Sequence, residues 1–190
     1  MSTFIDEKIH ELARTANTII DVGGGHGLQK GLEKYRSLLG SKCKSLDYDA
    51  NTNPDIVGDI MALPFADNSQ EAYICMSVLE HVDDPRKAVN ELYRTLKPGG
   101  MAVVYAPFLI PYHAREGAYA DYYRFSKDAV KSLFAKFSHL EFQPSRRFFE
   151  MWFLLLPKIG SRLDPLGRVL DRLFGSGDRQ VSGYNIFVIK

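Results

Sequence analysis

The chain has 190 residues, of which 45% are apolar, 25% charged and 12% aromatic. This composition is typical of one globular domain with a sizeable core and excludes a disordered chain. Lysine and arginine number 24 against 23 for aspartate and glutamate, so a net charge of +1 gives no general attraction for nucleic acid. The two cysteines, Cys43 and Cys75, are too few for a disulfide scaffold or a cysteine-based zinc site. We therefore expect a reduced, cytoplasmic protein.

Neither a signal peptide nor a transmembrane segment is expected. The N-terminus carries charge at Asp6, Glu7 and Lys8 and has no apolar run. The most apolar stretch, residues 148–156, is shorter than the roughly 20 residues that a membrane span needs.

Short apolar runs alternate with helical patterns along the chain. The spacing of apolar residues predicts helices over 4–16, 28–39, 84–97 and 126–137. Strands are predicted over 18–22, 43–46, 55–58, 72–76, 101–106, 140–142 and 184–189. Alternation of this kind indicates βαβ units, and so an α/β, Rossmann-like, doubly wound and mostly parallel sheet with helices on both faces.

A glycine-rich turn follows the first predicted strand. Asp21, Gly23, Gly25 and Gly27 form a D-x-G-x-G-x-G pattern, which lets the backbone approach a ligand closely and ends at a predicted helix N-terminus. The pattern does not fit the G-x-G-x-x-G fingerprint, so an NAD-dependent oxidoreductase is disfavoured. Two further acids, Asp47 and Asp59, follow the second and third strands, where α/β sheets bind ligands. The alternative is that the glycines only form tight turns and the aspartates only cap helices.

These motifs, in this order, resemble the class I S-adenosylmethionine-dependent methyltransferases, specifically the small-molecule type-11 family. The resemblance covers about residues 17–140 and rests on the segments 21–27, 46–47, 58–65, 78–82 and 91–100. It implies seven strands, the last of them antiparallel. It also implies S-adenosylmethionine as cofactor, with S-adenosylhomocysteine as product.

The resemblance assigns cofactor roles to ten residues. The glycine turn with Asp21 would flank the methionine part, Asp47 beside Tyr48 would bind the ribose, and Asp59 the adenine amino group. The residues that would pack near the adenine ring or face the methionine moiety are Ile60, Met61 and Met76. Two departures stand out: His26 replaces a common small residue, and only eleven residues separate Asp47 from Asp59.

Residues 107–125 have no regular period and are predicted to form a substrate loop beside the cofactor. His113 is the first candidate for a general base; packing within the loop is the alternative. Asp121 is the second candidate, and would otherwise orient His113 or pair with Arg124. The residues expected to shape the acceptor pocket are Tyr112, Tyr122, Tyr123 and Arg124.

His81 follows the fourth strand and is a third catalytic candidate, since it could touch the acceptor or merely begin the next helix. No group of histidine, aspartate and glutamate has the spacing of metal ligands, so no metal is expected. Residues 148–175 are predicted to be a helical cover within the single domain 1–190. A dimer face and a peripheral surface for a lipid-bearing acceptor are the alternatives.

The sequence thus predicts transfer of a methyl group to a small-molecule, glycan or lipid-linked acceptor, at oxygen, by a monomer or homodimer. The main alternative is a non-catalytic module with a cofactor-binding fold that acts through a protein partner. A nucleic-acid substrate is disfavoured because no basic tract is present, and because Cys75 to Val78 stand where an Asn-Pro-Pro-Tyr type motif would lie.

Overall fold

The structure is a computed structural model that describes residues 3–29, 31–156, 160–174 and 179–190. Its helices are α1 (Phe4–Thr15), α2 (Arg36–Leu39), α3 (Pro85–Thr95), α4 (Lys127–Leu133), α5 (Phe148–Leu154) and α6 (Asp164–Phe174). Its strands are β1 (Ile19–Val22), β2 (Cys43–Asp47), β3 (Ile56–Val57), β4 (Gln70–Met76), β5 (Leu96–Pro107), β6 (His139–Pro144) and β7 (Gly183–Ile189).

The seven strands form one sheet in the order β3-β2-β1-β4-β5-β7-β6. All pairs are parallel except those of β7, which runs antiparallel to both β5 and β6. The order reverses between β1 and β4, and this reversal point is where open α/β sheets bind ligands. The Rossmann-like fold predicted from the sequence is confirmed.

Alternating strand residues bury two apolar layers, one on each face of the sheet. Ile20, Tyr73 and Val104 face the layer to which α3 and α4 contribute. Their neighbours in the strands face the layer to which α1 and α2 contribute. Helices therefore cover both faces, as a mostly parallel sheet requires.

The predicted helix over 28–39 is wrong in extent. A 3₁₀ turn at Glu33–Tyr35 and the four residues of α2 are helical, and the described residues before them, 28–29 and 31–32, are not. Gly27 and Gly31 have φ values of +82° and +96°, which a right-handed helix cannot contain. The glycine turn consequently does not open onto a helix N-terminus.

Smaller differences concern the ends of elements. The third strand shortens to Ile56–Val57, and a 3₁₀ turn at Ala50–Thr52 occupies the short crossover that precedes it. The helix that begins after the predicted N-cap Asp84 ends at Thr95, and β5 starts directly after it rather than at residue 101. The helix after Ser126 ends at Leu133, not at residue 137.

Candidate active site

A cleft of about 1000 Å³ runs along the carboxyl edge of the sheet. One half is lined by the glycine turn and by the residues that follow β2 and β3. The other half is lined by residues after β4 and by the loop 107–125. The sequence-predicted residues that line it are Gly23, Gly25, Asp47, Tyr48, Asp59, Ile60, Met61, Met76, His81, His113 and Tyr122. The fold thus brings eleven candidates from four strand ends and one loop to a single surface.

The glycine turn needs glycine for its conformation and for close approach. Gly23 and Gly25 have φ values of +78° and +54°. A Cβ on Gly23 would lie 2.8 Å from Cγ2 of Val78, and one on Gly25 would lie 3.4 Å from Cβ of Thr52 and 3.9 Å from Oδ2 of Asp47. Side chains here would intrude on the space between the turn and the Asp47 carboxylate, which glycine leaves open to a ligand.

Asp21 lies beneath this turn and not in the cleft. Its side chain is fully buried, and Oδ2 accepts the backbone N–H of Gln29 at 2.7 Å. Burial raises the pKa of this carboxyl from 3.8 to about 7. Gly27 does not line the cleft either. The structure therefore places Asp21 and Gly27 as supports of the turn.

Asp47 and Asp59 lie in the same half of the cleft. Oδ1 of Asp47 accepts the N–H of Asp49 at 3.0 Å, and Oδ1 of Asp59 accepts the N–H of Met61 at 2.8 Å, so local turns fix both carboxylates. Tyr48 is exposed, and its hydroxyl donates to the carbonyl of Ala118 in the loop 107–125. This contact joins the two halves of the cleft.

The second half of the cleft is built on the turn that follows β4. Ser77 has a φ of +56°, uncommon for a residue other than glycine, and the side chain of Gln29 donates to the carbonyl of Met76. A 3₁₀ turn, Leu79–His81, follows. Strained backbone at such a position directs the next side chains toward the cleft.

His81, His113 and Glu80 form one cluster. Nε2 of each histidine lies 3.8 Å from Oε1 of Glu80, and the two imidazole rings meet edge to face at 4.9 Å. The Glu80 side chain is fully buried. Burial raises its pKa to about 7, and burial lowers the pKa of His81.

Asp121 and Arg124 form a two-pronged ion pair inside the loop. Arg124 also donates to the carbonyls of Ile110 and Pro111, while Asp121 accepts the backbone N–H of His113 at 2.8 Å. The pair folds the loop, and Oδ2 of Asp121 lies 3.3 Å from Nδ1 of His113. The guanidinium of Arg124 holds the pKa of Asp121 well below its usual range. Asp121 is therefore poorly suited as a base and well placed to orient His113.

The three loop tyrosines that were predicted to shape the pocket have different surroundings. Tyr122 lines the cleft, and its backbone N–H donates to the carbonyl of Glu80 at 2.8 Å. The hydroxyl of Tyr123 donates to the carbonyl of Asp83 at 2.7 Å and ties the loop to the turn after β4. Tyr112 is 77% exposed and faces a separate hollow formed by the loop itself. The structure brings neither Tyr112 nor Tyr123 to the cleft.

The C-terminal segment does not cover the cleft in the part that the structure describes. Of the predicted cover 148–175, residues 157–159 and 175 lie outside the described residues, and none of the others lines the cleft. Gly167 and Asp171 of α6 face α5. The Asp171 carboxylate accepts two backbone N–H groups from the first turn of α5, and Gly167 lies against the backbone of the same turn. Several apolar residues of the two helices, and two that directly follow α5, are exposed, whereas Met151 of α5 is buried; the exposed ones are Trp152, Leu155, Leu156, Leu166, Val169, Leu173 and Phe174.

Sequence reasoning missed Glu80 and Gln29 as parts of the site. Glu80 stands inside an apolar run and directly precedes His81, a local signal that a buried acid accompanies the histidine. Its closeness to His113, more than thirty residues away, depends on how the loop folds. The spacing argument against metal ligands overlooked this cluster for the same reason.

An open cleft at the reversal point of a Rossmann-like sheet, with strand-end acids and a glycine turn, defines a nucleotide-cofactor-binding α/β protein. Residues 20–104 match the model of a family described as a methyltransferase domain. The ubiquinone/menaquinone biosynthesis C-methyltransferase of Roseobacter denitrificans is 35% identical over 104 residues, covering 55% of this chain and 41% of that one. A demethylmenaquinone methyltransferase of Renibacterium salmoninarum is 38% identical over 96 residues, 45% of this chain and 39% of that one.

A solved structure of a SAM-dependent methyltransferase from Archaeoglobus fulgidus shares the fold, with a TM-score of 0.60 at 13% identity. The match covers 97% of this chain and 94% of that one. The chain is therefore similar to a methyltransferase domain over residues 20–104 and to a SAM-dependent methyltransferase in its fold. It spans less than half the length of the curated relatives that it matches. None of the helices in the described ranges is long and apolar enough to cross a membrane.

Proposed function

We propose that the protein transfers the methyl group of S-adenosylmethionine to a hydroxyl-bearing small molecule. The observation that carries the proposal is the single cleft whose two halves hold different chemistry. Backbone turns and carboxylates of the kind that bind an adenosyl group lie on one side, and paired histidines lie on the other.

The residues of the first half fit the cofactor. The absent side chains at Gly23 and Gly25 leave room for a ligand against the backbone. Asp47 would accept hydrogen bonds from ribose hydroxyls, since its carboxylate lies at the end of the strand next to the glycine turn. Asp59, with Ile60 and Met61, would hold the adenine. When bound, the cofactor supplies an electrophilic methyl group on a sulfonium.

The residues of the second half would position and deprotonate the acceptor. Nδ1 of His113 lies 3.1 Å from the carbonyl of Pro111 and 3.3 Å from the carboxylate of Asp121. Two oxygen acceptors favour a proton on Nδ1, so Nε2 keeps its lone pair and can accept the hydroxyl proton. When bound, S-adenosylmethionine would supply its methyl group to the acceptor oxygen and become S-adenosylhomocysteine.

The first test is calorimetric titration with S-adenosylmethionine, S-adenosylhomocysteine and NAD. We expect the first two to bind and NAD not to bind. Asp47→Ala should weaken binding by at least tenfold, while Asp128→Ala, an exposed acid on α4, should leave it unchanged. Binding of NAD alone would contradict the proposal. Cofactor binding without methyl transfer to any acceptor, together with a stable protein partner, would support the non-catalytic module instead.

The second test identifies the atom that is methylated. Transfer of labelled methyl to sugars, phenols and lipid-linked forms of both, followed by NMR of the product, should show an O-methyl group. The names of the curated relatives favour a second candidate, transfer to a ring carbon of a quinone precursor. Ionising a phenolic hydroxyl activates both its oxygen and the adjacent ring carbon, so the same base would serve either reaction.

The outward apolar face of α5 and α6 supports a lipid-linked acceptor within this class. These helices follow β6, whose carboxyl end lies at the same sheet edge as the cleft. If the acceptor is lipid-linked, lipid vesicles should lower its KM and leave the KM of a water-soluble acceptor unchanged.

A further inference from the structure

The Glu80 carboxylate is buried with little hydrogen bonding. Its side chain is fully buried; its own backbone N–H and the Ser77 side chain lie near it, but among the described residues no donor meets hydrogen-bond geometry at either oxygen. A buried carboxylate without partners is costly and normally pairs with a cation. The nearest guanidinium, that of Arg124, is already bound to Asp121 in two places.

Two imidazole nitrogens face this carboxylate. Nε2 of His81 and Nε2 of His113 each lie 3.8 Å from Oε1 of Glu80, so neither donates a hydrogen bond to it. One ligand atom from each of the three residues lies within 4.8 Å of the others. Ligand atoms around a tetrahedral zinc ion, with bonds of about 2.0–2.1 Å, lie about 3.3 Å apart. The two histidine–carboxylate separations are thus about 0.5 Å wider than in a loaded site, and the third separation is at most 4.8 Å, so the cluster would have to contract around an ion.

The opposite edge of each histidine ring is held by oxygen. Nδ1 of His81 lies 2.5 Å from the carbonyl of Ala120, and Nδ1 of His113 lies near the carbonyl of Pro111 and the carboxylate of Asp121. Such contacts place the proton on Nδ1 and direct the Nε2 lone pair inward. Metal-bound histidines have the same second contact, which fixes the ring and raises its basicity.

We propose that Glu80, His81 and His113 bind one divalent transition-metal ion at the acceptor end of the cleft. Two imidazoles and one carboxylate form the donor set that zinc and iron(II) take in proteins. Because both histidines line the cleft, the remaining coordination positions face it and can take water or an oxygen of the acceptor. The metal site stands on its own contacts and does not depend on methyl transfer; an ion bound there would take the Nε2 lone pair of His113, so hydroxide, formed from water on the ion, would then accept the hydroxyl proton in its place.

The test is titration of untagged protein, treated with a chelator and desalted, with Zn²⁺ and with Co²⁺. We expect one equivalent of Zn²⁺ to bind with a Kd below micromolar and Co²⁺ to give visible absorption bands of a bound ion. His113→Ala should weaken Zn²⁺ binding by at least a hundredfold. Asp121→Asn, which weakens both the contact behind His113 and the ion pair with Arg124, should weaken it about ten- to a hundredfold. His139→Ala, which removes an exposed histidine outside the cluster, should have no effect.

Retained S-adenosylhomocysteine binding identifies variants that are folded. Glu80→Gln removes the negative charge from the proposed ligand set and should also weaken Zn²⁺ binding. If Glu80→Gln does not fold, the result for His113→Ala, which lies on the loop, decides whether the metal site exists. Failure of the wild-type protein to bind stoichiometric Zn²⁺, or wild-type affinity in His113→Ala, would overturn the metal site. The methyltransferase proposal would survive that result, because its His113 would then act as a base. Zinc binding by a protein that does not bind S-adenosylmethionine would support the metal site and contradict the methyltransferase proposal.

Discussion

Asp21 provides a pH-dependent test of how the glycine turn is supported. Its carboxyl group is fully buried, Oδ2 accepts one N–H group, and Oδ1 has no partner among the described residues. Burial raises its pKa from 3.8 to about 7. Asp21→Asn replaces the group with an amide that can keep the acceptor toward Gln29 and cannot ionise.

The folded protein binds a proton at Asp21 over a pH range in which the unfolded chain has lost it. The associated stability is therefore fully present below pH 3.8 and is lost as the pH rises through about 7. One pKa unit corresponds to about 1.4 kcal/mol, so wild-type protein should lose about 3 kcal/mol from this group between about pH 5 and pH 8. Asp21→Asn should not show this loss, and its stability relative to wild type should rise with pH.

Urea unfolding followed by circular dichroism at the two pH values measures the difference. The free energy of unfolding of the wild type is subtracted from that of the variant at each pH, and the two differences are then compared. Groups that titrate equally in both proteins cancel in this comparison. Asp128→Asn reports the effect of removing an exposed carboxylate. A stability difference between Asp21→Asn and wild type that is the same at both pH values would refute the assignment of a raised pKa to Asp21.

Three substitutions test other parts of the site. Gly23→Ala should cost roughly 1–2 kcal/mol, because its φ is positive and its new Cβ would meet a neighbouring side chain at 2.8 Å; urea unfolding and cofactor titration would both report the loss. Gly167→Ala should speed proteolysis of the α5–α6 region, because the new Cβ would meet the α5 backbone at 2.9 Å. Alanine otherwise favours a helix over glycine, so propensity alone predicts the opposite result. Val169→Ala, at an exposed position of α6, is the control. Arg124→Lys should raise the KM of the acceptor several-fold and leave that of the cofactor unchanged, because lysine cannot make the two-pronged pair with Asp121. Equal changes in both KM values would contradict a role confined to the loop.

The sheet and its cofactor edge were predictable because they follow from local pattern. Short apolar runs gave all seven strands, and Asp47 and Asp59 lie at the edge that parallel strands share. The helix after the glycine turn was not predictable from apolar spacing. Gly27 and Gly31 impose positive φ values there, and these override the pattern of leucines.

The acceptor half was predicted as a set of residues but not as a geometry. The loop 107–125 has no period, so its path depends on contacts between distant residues. The backbone hydrogen bond from Tyr122 to Glu80, and the contact of Nδ1 of His81 with the carbonyl of Ala120, bring the histidine of the loop to the turn after β4. No spacing rule along the chain indicates that His113 should meet Glu80.

The two halves of the cleft therefore depend on different parts of the fold. Asp47 is held by the register of parallel strands, which a change in one side chain cannot shift. His113 is held by one ion pair, by backbone hydrogen bonds within the loop, and by contacts of the loop with the turn after β4. Substitutions in the loop can consequently change the acceptor, or the affinity for a metal ion, without altering the cofactor half. The cofactor titration and the zinc titration proposed above should accordingly respond to separate sets of variants.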